Sequence, residues 1–263
     1  MQLGTKTIII SFSLLLALTL NAQQQAPYYF SLERELIYGG AAVGSTLVGL
    51  TMHQSVNDVS ISTIELPKVS AFDDVAPKVL NIKPSNLSDG FLFASIALPS
   101  TFLLEKNTRK DIVGIGLLYT EAMLLNLGIT DIIKIAVLRP RPYTLNPDLA
   151  PSTILKRNDR ASFFSGHTSV TATAGFFCAR VFADYYPDSS LKPYVWTVAA
   201  LIPATTGYLR IRAGKHYPTD VLTGYIIGGA IGYLIPTLHK KPIQNRKLDV
   251  SMGLGGILLR YHL

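Results

Sequence analysis

Six apolar segments dominate this chain: Leu36–Met52, Gly90–Leu104, Ile112–Ile133, Thr168–Tyr185, Tyr194–Tyr208 and Val221–Leu238. A membrane span needs roughly 20 apolar residues as a helix, or about 10 with alternating polarity as a barrel strand. These runs lack alternation and read as helices, although Leu36–Met52 is short for a span. In lipid a helix satisfies its own backbone hydrogen bonds, which leaves little choice of secondary structure. The expected fold is all-α, a polytopic membrane helical bundle of about six transmembrane helices. Only 16% of the residues are charged, against about 25% in soluble domains. Mean hydropathy is +0.30. With 263 residues the chain suits one bundle.

The first 22 residues carry Lys6, then the apolar run Ile8–Leu20, then Asn21-Ala22. They read as a signal peptide, with an uncleaved anchor as the alternative. Gly40 and Gly44 are spaced for close helix packing, and so are Gly224, Gly228 and Gly232. Asn57–Ser88 is polar with three prolines and reads as a long loop, with an amphipathic helix near Phe72–Leu80. Pro99 is expected as a kink in the second span, and Glu105–Asp111 as a tight charged turn. Glu121 and Asn126 lie inside the third span. An acid there is a functional candidate, and a structural hydrogen bond to another helix is the plainer reading. The formal net charge is +7. No nucleic-acid motif accompanies it, so lipid head groups or an anionic substrate are the expected partners. Cys178 is the sole cysteine, which rules out an intrachain disulfide and a cysteine-based metal site.

The charges that do occur are gathered at segment ends. Leu209–Asp220 holds Arg210, Arg212, Lys215, His216 and Asp220 between two apolar runs. Arg210 can fork onto two phosphate oxygens. His216 can attack phosphorus as a neutral imidazole while Asp220 holds its other nitrogen as N–H. A snorkelling basic loop is the bland alternative. Lys134–His167 is a polar connection of over thirty residues, opened by Lys134-x6-Arg141-Pro142 and closed by Ser165-Gly166-His167. Proline fixes the exit of the third span and the cations before it. Gly166 lets the backbone approach a ligand, and the helix start at His167 offers free N–H groups to an anion. A serine nucleophile activated by histidine is a rival reading of that triplet.

Together the three stretches resemble the type 2 phosphatidic acid phosphatase family, within the histidine acid phosphatase and vanadium haloperoxidase-like superfamily. The family pattern is Lys-x6-Arg-Pro, Pro-Ser-Gly-His, then Ser-Arg-x5-His-x3-Asp. This chain has Lys134 to Arg141-Pro142, Ser165-Gly166-His167, and Arg210-x5-His216-x3-Asp220. Phe164 stands for the motif proline and Leu209 for the motif serine, changes expected to alter the pocket wall and one phosphate contact. The resemblance implies a membrane phosphatase with a phosphohistidine on His216. Asp220 would orient that ring, and His167 would protonate the leaving oxygen and then activate water. Lys134, Arg141, Ser165, Gly166 and Arg210 would bind the phosphate. No metal and no cofactor are implied. Arg139, Arg212 and Lys215 fall off the motif register and read as head-group or loop contacts. His53, His239 and His262 match no motif position.

These readings divide the chain into a signal peptide (1–22), a first membrane segment with its loop (23–88), a phosphatase core (89–240) and a polar, strand-like tail (241–263). Substrates in view are phosphatidic acid, phosphatidylglycerol phosphate, an isoprenyl diphosphate or lipid A. A general acid phosphatase acting on soluble esters and a non-catalytic transporter or scaffold are the alternatives. The loops opposite the motifs hold Lys106, Arg109, Lys110, Lys192, Lys240, Lys241, Arg246 and Lys247. The positive-inside rule makes that face cytoplasmic. The active site then faces the periplasm of a bacterial inner membrane. A cleaved leader followed by six full spans gives the opposite parity, so this orientation requires one N-terminal segment, such as Leu36–Met52, not to span.

Overall fold

A computed structural model of the chain describes residues 26–53, 56–63, 69–241, 248–253 and 256–261. The signal-peptide reading of 1–22 and His262 lie outside them. Six long helices occur among the described residues: α1 (Leu32–His53), α2 (Ile82–Ala97), α4 (Ile112–Val137), α5 (Gly166–Tyr185), α6 (Lys192–Arg212) and α7 (Pro218–Leu238). A single-turn helix, α3 (Lys106–Arg109), lies in the expected charged turn. Two stretches are long and apolar enough to cross a membrane, Ile112–Leu145, which contains α4, and Pro218–Leu238.

The helix boundaries follow local chemistry. α2 starts earlier than expected, because Asn81 Oδ1 caps Lys83 N at 3.2 Å. Pro84 sits in its first turn, where the missing N–H costs nothing. No helix forms over Phe72–Leu80, which is a turn and extended chain. Pro99 does not kink a continuing helix: α2 gives way at Leu98 to the 3-10 turn Leu98–Leu103. α1 has 22 residues, about 33 Å of helix, so shortness no longer argues against its crossing the membrane.

The glycines of α7 behave as their spacing predicts. A Cβ at Gly224, Gly228 or Gly232 would fall 2.5, 2.1 or 2.3 Å from a carbonyl oxygen of Ser165, Ser169 or Thr173. α7 therefore lies directly on α5. The Gly40–Gly44 pair does not follow suit, since both positions face open space. α1 meets α4 instead through Gly49 and Gly128, the latter against Ser45 and Thr46. The core between α4, α5 and α7 holds Leu118, Ala122, Phe177, Val181, Ile231 and Ile235, with Tyr28 and Phe30 closing it from the segment before α1. Tyr28 and Phe30 thus join the segment before α1 to this core.

The interhelical hydrogen bond expected of Glu121 is made instead by Asn126, to Ser169 Oγ at 2.8 Å and to Thr173 Oγ1. Glu121 makes none. The strand-like tail is a hairpin, β3 (Leu248–Gly253) with β4 (Gly256–Tyr261). A shorter ladder joins β1 (Val59–Ser60) to β2 (Ile154–Leu155), tying the loop after α1 to the loop after α4.

Candidate active site

Four helix ends converge on one cavity of about 500 Å³. The last turn of α4 brings Lys134, the first turn of α5 brings Gly166 and His167, the last turn of α6 brings Arg210, and the loop into α7 brings Lys215 and His216. Arg141 and Arg157 enter from the long loop, and Asp89 from α2. Five cations thus line the wall, against the two carboxylates Asp89 and Asp131. Lys215 belongs to this set despite its off-register position, and Arg157 was invisible to motif spacing.

His216 is buried, with 1% exposure. Its Nδ1 donates to the Ser162 carbonyl at 2.7 Å. That bond fixes the tautomer and leaves Nε2 as the lone-pair nitrogen. Nε2 lies 3.2 Å from Nη1 of Arg141. Burial disfavours the imidazolium, and so do Arg141, Lys134 and Arg210, so the ring is held well below the usual histidine range. The ring is therefore neutral near pH 7, the state a nucleophile needs.

Asp220 lies behind this ring and does not line the cavity. Its Oδ2 is 3.6 Å from His216 Nδ1, beyond hydrogen-bond range. That oxygen instead accepts the Ser162 hydroxyl at 2.6 Å and the Tyr217 N–H at 2.8 Å. The immediate partner of Nδ1 is the Ser162 carbonyl, and Asp220 fixes the segment that carries it. Sequence reasoning missed Ser162 because the contact uses its backbone, which any residue could supply.

Arg139 holds Asp220 from the other side. Nη1 is 2.6 Å from Asp220 Oδ1, Nη2 is 2.8 Å from Asp73 Oδ2, and the guanidinium lies 3.9 Å above the Tyr217 ring. Arg139 is thus a half-buried tie between segments, the loop contact rather than the head-group contact of the two expected of it. The Asp73 carboxyl is pulled down by this arginine and by two bonds from Thr219, against its own burial. The turn that separates Arg139 from Arg141 starts at Leu138, whose φ is 45°.

The phosphate-binding candidates divide into two groups. Arg141 is clamped by Asn158, with Nε to the carbonyl at 2.6 Å and Nη2 to Oδ1 at 3.0 Å. Lys134 Nζ donates to the Ala161 carbonyl at 2.7 Å, and Arg210 Nη1 to Ser88 Oγ at 3.3 Å. The Nε of Arg210 has no partner. These three, with Gly166, face the cavity. Ser165 does not: its Oγ meets Thr168 Oγ1 at 2.9 Å and caps the Thr168 N–H at 3.4 Å. Its hydroxyl is spent on starting α5. Phe164 is buried against the Gly224 position of α7 rather than forming pocket wall.

His167 stands on the same cavity as His216. Its Nε2 is 2.7 Å from Oδ1 of Asp89, which also lies 3.5 Å from Arg210 Nη1. Asp89 belongs to no motif and falls just before the second apolar segment, at the first position of the expected core.

Two imidazoles and five cations surround one cavity at one end of an apolar helical bundle. Residues 115–244 match the family model of the PAP2 superfamily. It is 26% identical to the lipid A 4'-phosphatase of Porphyromonas gingivalis over 57% of this chain and 65% of that protein. It is 30% identical to the phosphatidylglycerophosphatase B of Bacillus subtilis over 49% of this chain and 66% of that protein. The chain spans just under two thirds of the length of both curated relatives. A crystal structure of a transmembrane PAP2-type phosphatidylglycerolphosphate phosphatase from Bacillus subtilis aligns with 78% of this chain and 99% of that one, at 20% identity and a TM-score of 0.48.

Proposed function

We propose that this chain is a membrane phosphatase that hydrolyses a lipid phosphomonoester or diphosphate through a phosphohistidine on His216. The observation that carries this reading is the neutral, fixed Nε2 of His216 in a cavity shared with His167 and five cations. In the first half-reaction Nε2 bonds to phosphorus as the bond from phosphorus to the lipid oxygen breaks. His167 delivers a proton to that oxygen. In the second half His167 takes a proton from water, the water oxygen bonds to phosphorus, and the N–P bond breaks to release inorganic phosphate. Lys134, Arg141, Arg210 and the backbone at Gly166 hold the equatorial oxygens. Such placement and charge stabilisation is most of what phosphoryl transfer needs, and turnover is expected to persist in EDTA.

The lipid class is supported by the cavity wall and by the relatives. Leu92, Leu127, Ile135, Leu138 and Val170 form its apolar side, between α2 and α4, where an acyl or isoprenyl chain can lie. The relatives named above act on lipid phosphates, and an undecaprenyl-diphosphatase of Sulfolobus acidocaldarius is 24% identical over 53% of this chain. We place six helices across a bacterial inner membrane, with residues 89–240 as the phosphatase core and the cavity facing the periplasm. The basic residues at the other end of the bundle support this orientation. It requires that the apolar N-terminal stretch not carry the start of α1 outward.

A panel of phosphatidic acid, phosphatidylglycerol phosphate, isoprenyl diphosphate, lipid A and nitrophenyl phosphate, assayed with EDTA, tests the proposal. Wild type should release phosphate from at least one lipid faster than from the soluble ester, and His216→Ala should not. Release from the soluble ester alone would make the chain a general acid phosphatase. No release from any substrate would leave the transporter or scaffold reading.

A further inference from the structure

At the end of the bundle away from the cavity, Glu35, Glu121 and His239 point their ligand atoms at one spot. Glu121 and Lys134 are 13 residues apart on α4, about 20 Å along the helix axis. The three residues come from α1, α4 and the residue after α7. Exposure is 5%, 5% and 0%. Glu35 Oε1, both oxygens of Glu121 and Nε2 of His239 have no hydrogen-bond partner. Buried polar atoms rarely stay unpaired, and each that does calls for an explanation.

We infer that this cluster is a divalent transition-metal site, of the Zn²⁺ class, that staples α1, α4 and α7 together. Two observations carry the inference. First, Nε2 of His239 lies 3.3 Å from Glu35 Oε1 and 3.5 Å from Glu121 Oε2. Charge-assisted hydrogen bonds are shorter, about 2.7–2.9 Å. Tetrahedral ligands at about 2.0–2.2 Å from zinc sit roughly 3.3–3.6 Å from one another, which matches both spacings. Second, His239 Nδ1 donates to the Ile235 carbonyl at 2.9 Å. That second bond is the usual support of a metal-bound imidazole, and it aims the Nε2 lone pair at the carboxylates. Mixed imidazole and carboxylate donors favour zinc over magnesium or calcium.

The site is independent of the proposed phosphatase reading and uses none of its residues. Its test is metal content, not turnover. The full chain, purified in detergent and stripped with chelator, is titrated with Zn²⁺ and then passed through a desalting column. The inference predicts about one zinc per chain and a melting temperature raised by several degrees. X-ray absorption should show nitrogen and oxygen neighbours without sulfur. Glu121→Gln and His239→Gln should each lower retained zinc at least tenfold while keeping helical circular dichroism and monodisperse elution. Should either variant fail to fold, the zinc content and melting shift of wild type decide the matter alone. Wild type that retains no zinc and melts at the same temperature with and without it would overturn the inference in favour of a buried, proton-sharing triad. Folded variants that hold as much zinc as wild type would overturn it as well.

Discussion

His167 Nε2 lies 2.7 Å from Asp89 Oδ1, a carboxylate on a different helix that is itself 40% exposed. The exposure means that Asp89 contributes little to folding. Its place beside one imidazole, within reach of Arg210, fits a positioning role for proton transfer. Asp89→Asn is expected to lower kcat about 10- to 100-fold, short of the loss from removing a general acid altogether. The melting temperature should stay within about 2 °C of wild type. Steady-state kinetics on the preferred lipid, beside a thermal melt, checks this, and an unchanged kcat would remove Asp89 from the chemistry.

Arg139 ties Asp73 to Asp220 with its side chain 18% exposed. Arg139→Ala would leave two carboxylates without a counter-charge at the start of α7. Breaking a buried ion pair on one side costs about 3–5 kcal/mol, so the variant should melt many degrees lower. Activity should fall with it, because Asp220 fixes Ser162 and, through its carbonyl, His216. Asp73→Asn should show a smaller loss in the same direction.

The pH dependence follows from His216. An ordinary imidazole titrates near 6.5, and burial with three neighbouring cations moves this one downward. Because the neutral ring is the reactive one, acidifying through pH 6.5 should not shut off kcat/KM. The acid limb should appear well below that value. Arg141→Gln removes one repelling charge and should move the limb upward while weakening substrate binding. The linkage has a definite sign as well: below about pH 6.5 the unfolded chain binds a proton that folded His216 refuses, so stability should fall as pH drops.

Gly228 lies where a Cβ would meet the Ser169 carbonyl oxygen at 2.1 Å. That oxygen belongs to a helix backbone and cannot swing away. Gly228→Ala should therefore destabilise by about 1–3 kcal/mol through overpacking. Gly44→Ala, at a position with nothing nearby, should leave the melting temperature unchanged or raise it.

How far these features could be read from the sequence depends on what kind of signal each leaves there. Apolar runs record burial directly, so the existence of the long helices was legible. The α7 glycines were too, because only a missing side chain permits that contact with α5. The Gly40–Gly44 pair has the same spacing and no partner, since spacing alone does not say which face meets another helix. Lys134, Arg141, His167, Arg210 and His216 were legible because phosphate chemistry needs charged and imidazole groups at fixed separations. Asp89, Asn158 and the Ser162 carbonyl were not, because tertiary folding alone brings them to His167, Arg141 and His216. Ser165 shows the reverse: a motif residue whose local duty as helix cap takes up its hydroxyl. His239 and Glu121, 118 positions apart, meet only because α4 and α7 run side by side.

The central claim is that His216 carries the phosphoryl group, and rapid acid or base quench with labelled substrate tests it most directly. Wild type mixed with ³²P-labelled lipid phosphate should yield a covalent phosphoenzyme that is stable to base and labile to acid, with the label on the peptide containing His216. His167→Ala, which slows breakdown, should leave His216 able to accept the group. His216→Ala should trap nothing. A phosphoenzyme that forms equally in His216→Ala, or label found on Ser165, would contradict the account.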